Sequence, residues 1–291
     1  MTTAATPHHH RPENDWATEH HVYEPHIVGL PPLGPYVREL WRRRSFAFEL
    51  SRTKLRAQHF NTVFGQLWLV LNPLFLAGVY FVLVDILRGG SSREGFFTHL
   101  VACIFAYHLV SDAVRTGTRS VVSGGRLILN SAFPRVLLPF ASVISATKKF
   151  LPTMFVYIPF HLASGRPIGP ELLWVIPLIA IMIVLAAGLA MIVGALQVYF
   201  RDLKNIIPYA LRLGLYVSPI LYFADEMPSE YKWLLNANPL GQLLSAWSDV
   251  LIVGSSPTAT QLGVGCAWAF GLFLAGFLFF VSREREFAVR L

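Results

Sequence analysis

Residues 191–223 read MIVGALQVYFRDLKNIIPYALRLGLYVSPILYF, and this stretch decides the fold class. Two apolar runs meet at a short polar hinge, residues 199–205, which carries Arg201, Asp202 and Lys204. Three charges this close together are costly in hydrocarbon, so we expect the hinge at a membrane surface, between two membrane-spanning helices. From these residues alone, the hinge is either an ordinary loop or a docking surface for a cytosolic partner.

The composition of the whole chain supports a membrane protein. Of its 291 residues, 54% are hydrophobic and 14% are charged, whereas soluble domains carry about 25% charged residues. The net charge of +7 is explained better by arginine retained on cytoplasmic loops than by nucleic-acid binding. The two cysteines are far apart in apolar stretches and indicate no disulfide framework.

The pattern of apolar segments predicts an all-α polytopic membrane protein with six transmembrane helices. Each segment is close to the ~20 residues that a helix needs to cross a bilayer. The segments are 66–87, 96–114, 136–163, 174–199, 206–223 and 262–281. With this division, eighteen Lys and Arg residues lie on the side of the termini and four on the opposite side. This asymmetry predicts that both termini are cytoplasmic.

The remaining segments have distinct compositions. Residues 1–35 are polar and predict a disordered cytosolic tail, whose histidines lack the carboxylate or thiol partners typical of a metal site. Residues 36–60 predict an amphipathic interfacial helix, with Trp41, Arg42, Arg43 and Arg44 at the lipid headgroups. Residues 224–260 contain apolar pieces too short to span, which favours re-entrant gate helices on the external side. Residues 61–285 then form the transmembrane domain and 286–291 a cytosolic C-terminus.

Motifs for nucleotide or hydrolytic chemistry are absent from the sequence. It contains no phosphate-binding G-x-x-x-x-G-K-[ST] loop, and no G-x-S-x-G or C-x-x-C motif. The chain is therefore not expected to be an enzyme by itself, or to bind a metal or cofactor. Energy for any transport must come from a partner or a gradient.

Four motifs resemble the permease subunit of ABC polysaccharide exporters of the Wzm/TagG type, which move O-antigens, teichoic acids and related glycans. They are QVYFRDL at 197–203 with SPI at 218–220, FGQLW at 64–68 with NP at 72–73, NSAFPR at 130–135, and NPL at 238–240. The match covers about residues 36–285. The whole chain looks most like actinobacterial members that export lipid-linked galactan.

The resemblance implies a homodimer of permeases that docks two copies of a separate, Wzt-like ATPase, which binds ATP and magnesium. Its substrate would be a polyprenyl-pyrophosphate-linked polysaccharide, galactan or O-antigen-like, exported across the inner (plasma) membrane. The positions that match the family's ATPase-coupling helices are Arg126, Asn130, Phe133, Pro134, Arg135, Tyr199, Arg201, Asp202 and Lys204.

A long glycan needs a continuous channel, and aromatic rings offer sliding contacts to the apolar faces of sugars. The channel and substrate candidates are Trp68, Phe75, Tyr80, Phe81, Tyr209, Arg212, Tyr216, Tyr222 and Phe223. The same aromatic residues also suit a lipid-facing belt. Among charges within the spans, Arg115, Lys148, Lys149 and Arg212 either meet the pyrophosphate or snorkel and pair internally, with Asp112 and Arg115 favoured as a pair.

Two further function classes stay open at this point. One keeps the transporter fold but exports teichoic acid or a small drug or lipid. The other is an integral membrane enzyme that transfers glycans from a prenyl carrier. Such an enzyme calls for an acidic cluster for metal–diphosphate chemistry, such as D-D-x-x-D, and the sequence contains none. Its adjacent acidic pair, Asp225-Glu226, is expected on the external side, in contact with solvent.

Overall fold

The computed structural model describes residues 31–58 and 65–291. The predictions for the tail and its histidines, and for Phe64 of the FGQLW motif, lie outside these residues. The described residues form twelve α-helices: α1 Leu33–Arg42, α2 Arg44–Gln58, α3 Trp68–Leu87, α4 Phe96–Ser123, α5 Gly125–Asn130, α6 Leu137–Ala163, α7 Val175–Tyr199, α8 Leu203–Val217, α9 Trp233–Ala237, α10 Gly241–Ser248, α11 Ala259–Arg283 and α12 Phe287–Arg290. The all-α prediction is confirmed for this part of the chain.

Helix α4 is the centre of the bundle. It packs against α3, α6, α7, α8 and α10, and 83% of its most apolar 18-residue stretch is buried, against 22% for α3. Its small residues, such as Ala106 and Ala113, let neighbouring helices approach, and it also buries polar groups such as Thr118. Interhelical packing in membranes favours small and hydroxyl side chains in this way.

Glycine residues let α7 pack very closely against both α4 and α11. Gly117 of α4 lies against Ala190 of α7, where an added Cβ would be 2.6 Å from the Ala190 Cβ. Gly188 lies on α7 and faces the main chain of α11, where an added Cβ would be 2.5 Å from the Leu272 carbonyl carbon. The three helices therefore pack almost backbone to backbone.

Four helical segments are long and apolar enough to cross a membrane: Trp68–Leu87, Phe96–Ser123, Pro170–Tyr199 and Ala259–Arg290. They correspond to the first, second, fourth and sixth predicted spans. Helix α6 is 27 residues long but carries Lys148 and Lys149 in its middle. Helix α8 has only 15 residues and ends at Val217, where Ser218 takes an extended backbone. The chain is thus a multi-pass membrane protein, and the number six stays a prediction.

Several predicted boundaries move. The interfacial helix begins at Leu33 instead of residue 36 and is divided at Arg43 into α1 and α2. Helix α2 packs on α6, because Ala47 is buried and Ser145 donates a hydrogen bond to Ser51 at 3.1 Å. The second span continues to Ser123, since small residues keep the last turns of α4 inside the protein.

The middle of segment 224–260, residues 240–252, is packed into the protein, whereas most residues at its two ends are exposed. Helix α10 contacts α4 and α11, and Trp247 on α10 is fully buried, with its Nε1 donating to the Ala102 carbonyl at 3.1 Å. A short π-helix, Asp249–Val253, continues it. This explains the leucine and tryptophan content of an otherwise loop-like segment; that it forms an external re-entrant gate stays a prediction.

Substitution Gly188→Ala tests the close approach of α7 and α11. The added methyl meets main-chain atoms that cannot rotate away, so we expect overpacking to lower the stability by roughly 1–3 kcal/mol. The measurement is the thermal stability of the detergent-solubilised protein, followed by size-exclusion chromatography. The matched control is Gly271→Ala on α11, where no atom lies within 4 Å of the added Cβ. Equal stability of the two variants would contradict the packing.

Candidate functional site

The two predicted coupling segments lie at the same end of the helix bundle. Ile128 of α5 belongs to a buried cluster that includes Phe280 of α11 and Phe287 of α12. At the end of α7, Tyr199 donates a hydrogen bond from its hydroxyl to Glu286 Oε2 at 2.7 Å. Both segments therefore rest on the last eight residues of the chain.

Helix α5 is a short helix held by one apolar side chain. Ile128 is buried, whereas Arg126 and Asn130 are exposed and Leu129 has 62% of its surface exposed. Gly124 separates α4 from α5 and packs closely on α6, where an added Cβ would be 2.9 Å from Leu138 Cδ1. The exposed side chains of α5 thus offer one cation, one amide and two apolar groups, Leu127 and Leu129, to a partner.

The residues after α5 are anchored to the protein. The Phe133 ring packs on Phe46 of α2 with centroids 5.0 Å apart, and Arg135 donates to the Glu284 main-chain carbonyl. Tyr36 of α1 donates to Glu284 Oε2 at 2.7 Å. Burial, together with the Glu284 carboxylate, raises the pKa of the Tyr36 hydroxyl, so it stays protonated and acts as the donor.

The hinge between α7 and α8 is exposed but ordered by its main chain. Gln197 Nε2 donates to the Arg201 carbonyl at 2.7 Å. The side chains of Arg201, Asp202 and Lys204 are exposed, and Phe200 is 61% exposed. This surface combines charge with an apolar group, as protein interfaces do.

The nine predicted coupling residues thus divide into two groups. The exposed group, available to a partner, contains Arg126, Asn130, Arg201, Asp202 and Lys204. The buried or half-buried group, which positions the first, contains Phe133, Pro134, Arg135 and Tyr199. Their role in coupling stays a prediction.

Sequence reasoning missed the C-terminal segment Glu284–Leu291. The arginines of this segment entered the sequence analysis only through the charge asymmetry that predicts cytoplasmic termini. The alternation RERE at 283–286 was the available signal, because Glu284 and Glu286 sit among cations and next to the end of a span. Arg283 pairs with Glu286 at 2.9 Å, and Arg290 pairs with the same carboxylate at 3.5 Å.

The predicted headgroup residues have different surroundings. The guanidinium of Arg44 lies 4.7 Å from the centroid of the Trp41 ring, and Trp41 is 67% exposed. Arg42 and Arg43 both pair with Glu39. Arg43 also donates to the Ala132 carbonyl at 2.5 Å, so it ties α1 to the loop after α5 and is only partly free for lipid.

A polar cavity of about 280 Å³ lies between α3, α4 and α6. Its polar lining includes Asn72, His108, Asp112, Arg115 and Lys149. Asp112 Oδ2 is 3.8 Å from Lys149 Nζ, so Asp112 pairs across to α6 instead of with the predicted Arg115. Arg115 lines the same cavity but forms no ion pair with Asp112, so the Lys149 ammonium on α6 is the nearer cation.

The other two predicted cations lie outside this cavity. Lys148 Nζ is 5.7 Å from the centroid of the Phe48 ring on α2, which places its charge at the interfacial helix. Arg212 is exposed on α8. The four cations are therefore not one cluster: Arg115 and Lys149 line the cavity, and the other two face separate surfaces.

Some channel candidates share one exposed surface. Tyr80 of α3 donates to Tyr216 of α8 at 3.2 Å, and their rings meet edge to face. Phe75 and Tyr209 are 61% and 68% exposed on the same two helices. Tyr80, Tyr209, Tyr216 and Arg212 define the α3–α8 face; Tyr209, Arg212 and Tyr216 lie on one side of α8, one or two helical turns apart. Phe75 lies five residues before Tyr80 and so points to another side of α3.

Other candidates lie inside the protein. Phe223 is buried, with its ring 4.2 Å from the His99 ring, and Phe81 packs on Phe97 at 5.3 Å. Tyr222 is half-buried and donates to the Val217 carbonyl at 2.7 Å, and Trp68 lines the polar cavity. Their environment is that of packing residues, so the channel role of this group has less geometric support.

No group of three or more metal-ligating side chains occurs within residues 31–58 and 65–291. Cys103 and Cys266 are both free thiols. The arrangement described so far offers an exposed charged surface at one end of the bundle, a polar cavity and an aromatic face.

No family model matches the chain. It is 27% identical to an O-antigen export system permease protein RfbA of Klebsiella pneumoniae, over 70% of this chain and 79% of the relative. A second RfbA of that species is 26% identical over 71% and 80%. An RfbA of Myxococcus xanthus is 26% identical over 87% of this chain and 97% of the relative. The predicted resemblance to permease subunits of polysaccharide exporters is confirmed.

Substitution Asp112→Asn tests the ion pair in the cavity. It leaves the Lys149 charge without its partner in a poorly hydrated site, so we expect a loss of roughly 1–2 kcal/mol, reduced by the partial exposure of both groups. The measurement is the thermal unfolding of the solubilised protein. The control is the double variant Asp112→Asn with Lys149→Gln, which removes both charges and should recover most of the loss. If the single variant is as stable as the parent, the pairing is wrong.

Proposed function

We propose that this chain is the permease subunit of an ATP-driven exporter that moves a polysaccharide out of the cytoplasm. The observation that carries the proposal is the similarity to an O-antigen export permease along 87% of the chain and 97% of the relative. The polytopic helical fold agrees with a permease. The chain therefore supplies the membrane path, and the chemistry of ATP belongs to another subunit.

The ATPase partner would dock on the exposed end of the bundle. Arg126 and Asn130 on α5, with Arg201, Asp202 and Lys204 at the hinge, lie at the ends of α4 and α7, the two helices packed through Gly117 and Ala190. A push at this end reaches the centre of the bundle through those helices. In the full proposal two permeases and two Wzt-like ATPases assemble, ATP and magnesium bind the ATPases, and both termini lie in the cytoplasm.

Substitution Arg201→Gln tests the docking surface. It removes an exposed charge from the hinge, and a lost interface contact of about 1.4 kcal/mol corresponds to roughly tenfold weaker binding. We expect less ATPase to copurify and less glycan to be exported per ATP hydrolysed. Both are measured on the reconstituted complex. The same change at exposed Lys232, on the opposite side of the predicted membrane, should alter neither quantity; unchanged export in Arg201→Gln and Asp202→Asn would rule out the hinge.

The exported molecule is proposed to be a glycan on a polyprenyl pyrophosphate, galactan or O-antigen-like. The α3–α8 face supports sliding contacts to sugars, because Tyr80, Tyr209 and Tyr216 present their rings there. Arg212 lies between the two tyrosines of α8 in sequence and is exposed. In a homodimer this face could meet its counterpart and close a channel around the glycan.

Substitution Arg212→Gln tests the contact to the pyrophosphate. The loss of a charge-assisted hydrogen bond to a phosphate, about 1.5–3 kcal/mol, should lower export by tenfold or more. Export in cells and glycan-stimulated ATP hydrolysis in proteoliposomes are measured together. Dimer assembly should be unchanged, because the tyrosine rings of the α3–α8 face remain in place. Normal export in this variant removes Arg212 from the substrate site.

A further inference from the structure

We infer that the C-terminal segment Glu284–Leu291 links the two coupling segments mechanically, with Glu286 as the positioning residue that sets the hinge relative to α5. The inference rests on the proposed function for its role in transport, but the link itself is a property of the single chain. Its basis is the set of contacts that this segment makes to three other parts of the protein.

The first set of contacts reaches the hinge. Glu286 accepts the hydrogen bond from Tyr199 at 2.7 Å and pairs with Arg283 and Arg290. The Arg290 guanidinium lies 4.5 Å from the centroid of the Tyr199 ring. Arg201 Nη2 is 3.5 Å from the Arg290 carbonyl. The Glu286 carboxylate thus gathers one tyrosine and two arginines at the end of α7.

The second set of contacts reaches α5. Phe287 is fully buried, with its ring edge to face on Phe280 at 5.2 Å, and it shares its cluster with Ile128 of α5. The Leu291 side chain lies beside Gly125, where an added Cβ would be 3.8 Å away. This contact is apolar and buried, whereas the contacts to the exposed hinge residues beyond Tyr199 are polar.

The third set of contacts reaches the N-terminal helices. Glu284 accepts from Tyr36 of α1, and its carbonyl accepts from Arg135. Arg43 and Phe46 join α1 and α2 to the same loop through Ala132 and Phe133. Displacement of α5 by a docked partner would therefore move the C-terminal segment and the interfacial helices with it.

The contacts to α5 are apolar, whereas those to the exposed part of the hinge are polar. The polar contacts are therefore the ones that can change while the protein stays folded. On the α5 side the segment is fixed by Phe287, whose removal would expose a cluster at the end of the bundle. On the hinge side Val198 and Tyr199 pack on the same apolar cluster, and the polar contacts there are made by the half-buried Glu286 carboxylate and by Arg290. These hydrogen bonds and ion pairs can be released and re-formed. The angle between hinge and α5 is therefore set at Glu286, and a change there alters coupling while the fold persists.

The link can be measured in the permease alone. Arg126→Cys and Lys204→Cys carry spin labels on α5 and the hinge, in a chain whose two native cysteines are replaced by alanine. With the labelled chain diluted in unlabelled permease, so that each dimer carries one labelled copy at most, we expect one narrow distance distribution by pulsed electron resonance. Glu286→Ala should broaden it by severalfold, and Glu286→Gln, which keeps an acceptor for Tyr199, should broaden it less. The matched control is Glu49→Gln, an exposed carboxylate on α2. An unbroadened distribution in Glu286→Ala overturns the link.

A second readout tests the role in transport and separates it from a merely structural one. In the unlabelled complex, Glu286→Ala should keep its yield and bound ATPase but export about tenfold less glycan per ATP, the factor for a lost charge-assisted hydrogen bond. Tyr199→Phe should behave alike, and the double variant should lose no more than either single one. Additive losses, or an unchanged ratio, would overturn the positioning role.

The two readouts distinguish the failure of each idea. If the parent chain binds no ATPase and exports no glycan, the proposed function fails, and the spin-label distances still decide whether the segment links α5 to the hinge. If the parent complex exports glycan and Glu286→Ala exports it equally well, the proposed function stands and the inference is wrong.

Discussion

The closeness of α4, α7 and α11 is the constraint on which the rest of the structure depends. In lipid, helices gain little from the hydrophobic effect and associate through tight packing of small residues. Gly117 against Ala190 and Gly188 against Leu272 provide that packing. Because α4 is held on all sides, the directions in which α5 and the hinge leave the bundle are fixed, and so is the surface they form together.

Sequence patterns predict the helices that are apolar throughout. Helix α7 has no charge, and both its existence and its end at Tyr199 follow from the sequence. Pattern alone could not place the end of α8, because an apolar run continues after Ser218 while the backbone has already left the helix. It also could not find the partner of Asp112, because Lys149 is distant in sequence and adjacent only once α4 and α6 pack.

The candidate site shows the same division between local and distant information. The exposed charges of the hinge are visible in the sequence, because charge beside an apolar run marks a membrane boundary. The side chains that position them are not, because Glu284 and Glu286 are ordinary surface carboxylates until the fold brings Tyr36 and Tyr199 to them. A count of positive and negative residues gives the sign of each side chain but does not show which residue it binds in the fold.

The shortness of α8 has a consequence for the lipid around it. Fifteen residues extend about 22 Å, well short of the ~30 Å of a bilayer's hydrocarbon core. Two of its apolar side chains, Ile206 and Leu213, are more than half exposed. If α8 is the predicted fifth span, this hydrophobic mismatch is relieved by a local thinning of the bilayer. A lipid headgroup that crosses the membrane beside α8 would then pass through a thinner layer of hydrocarbon than one beside the longer helices.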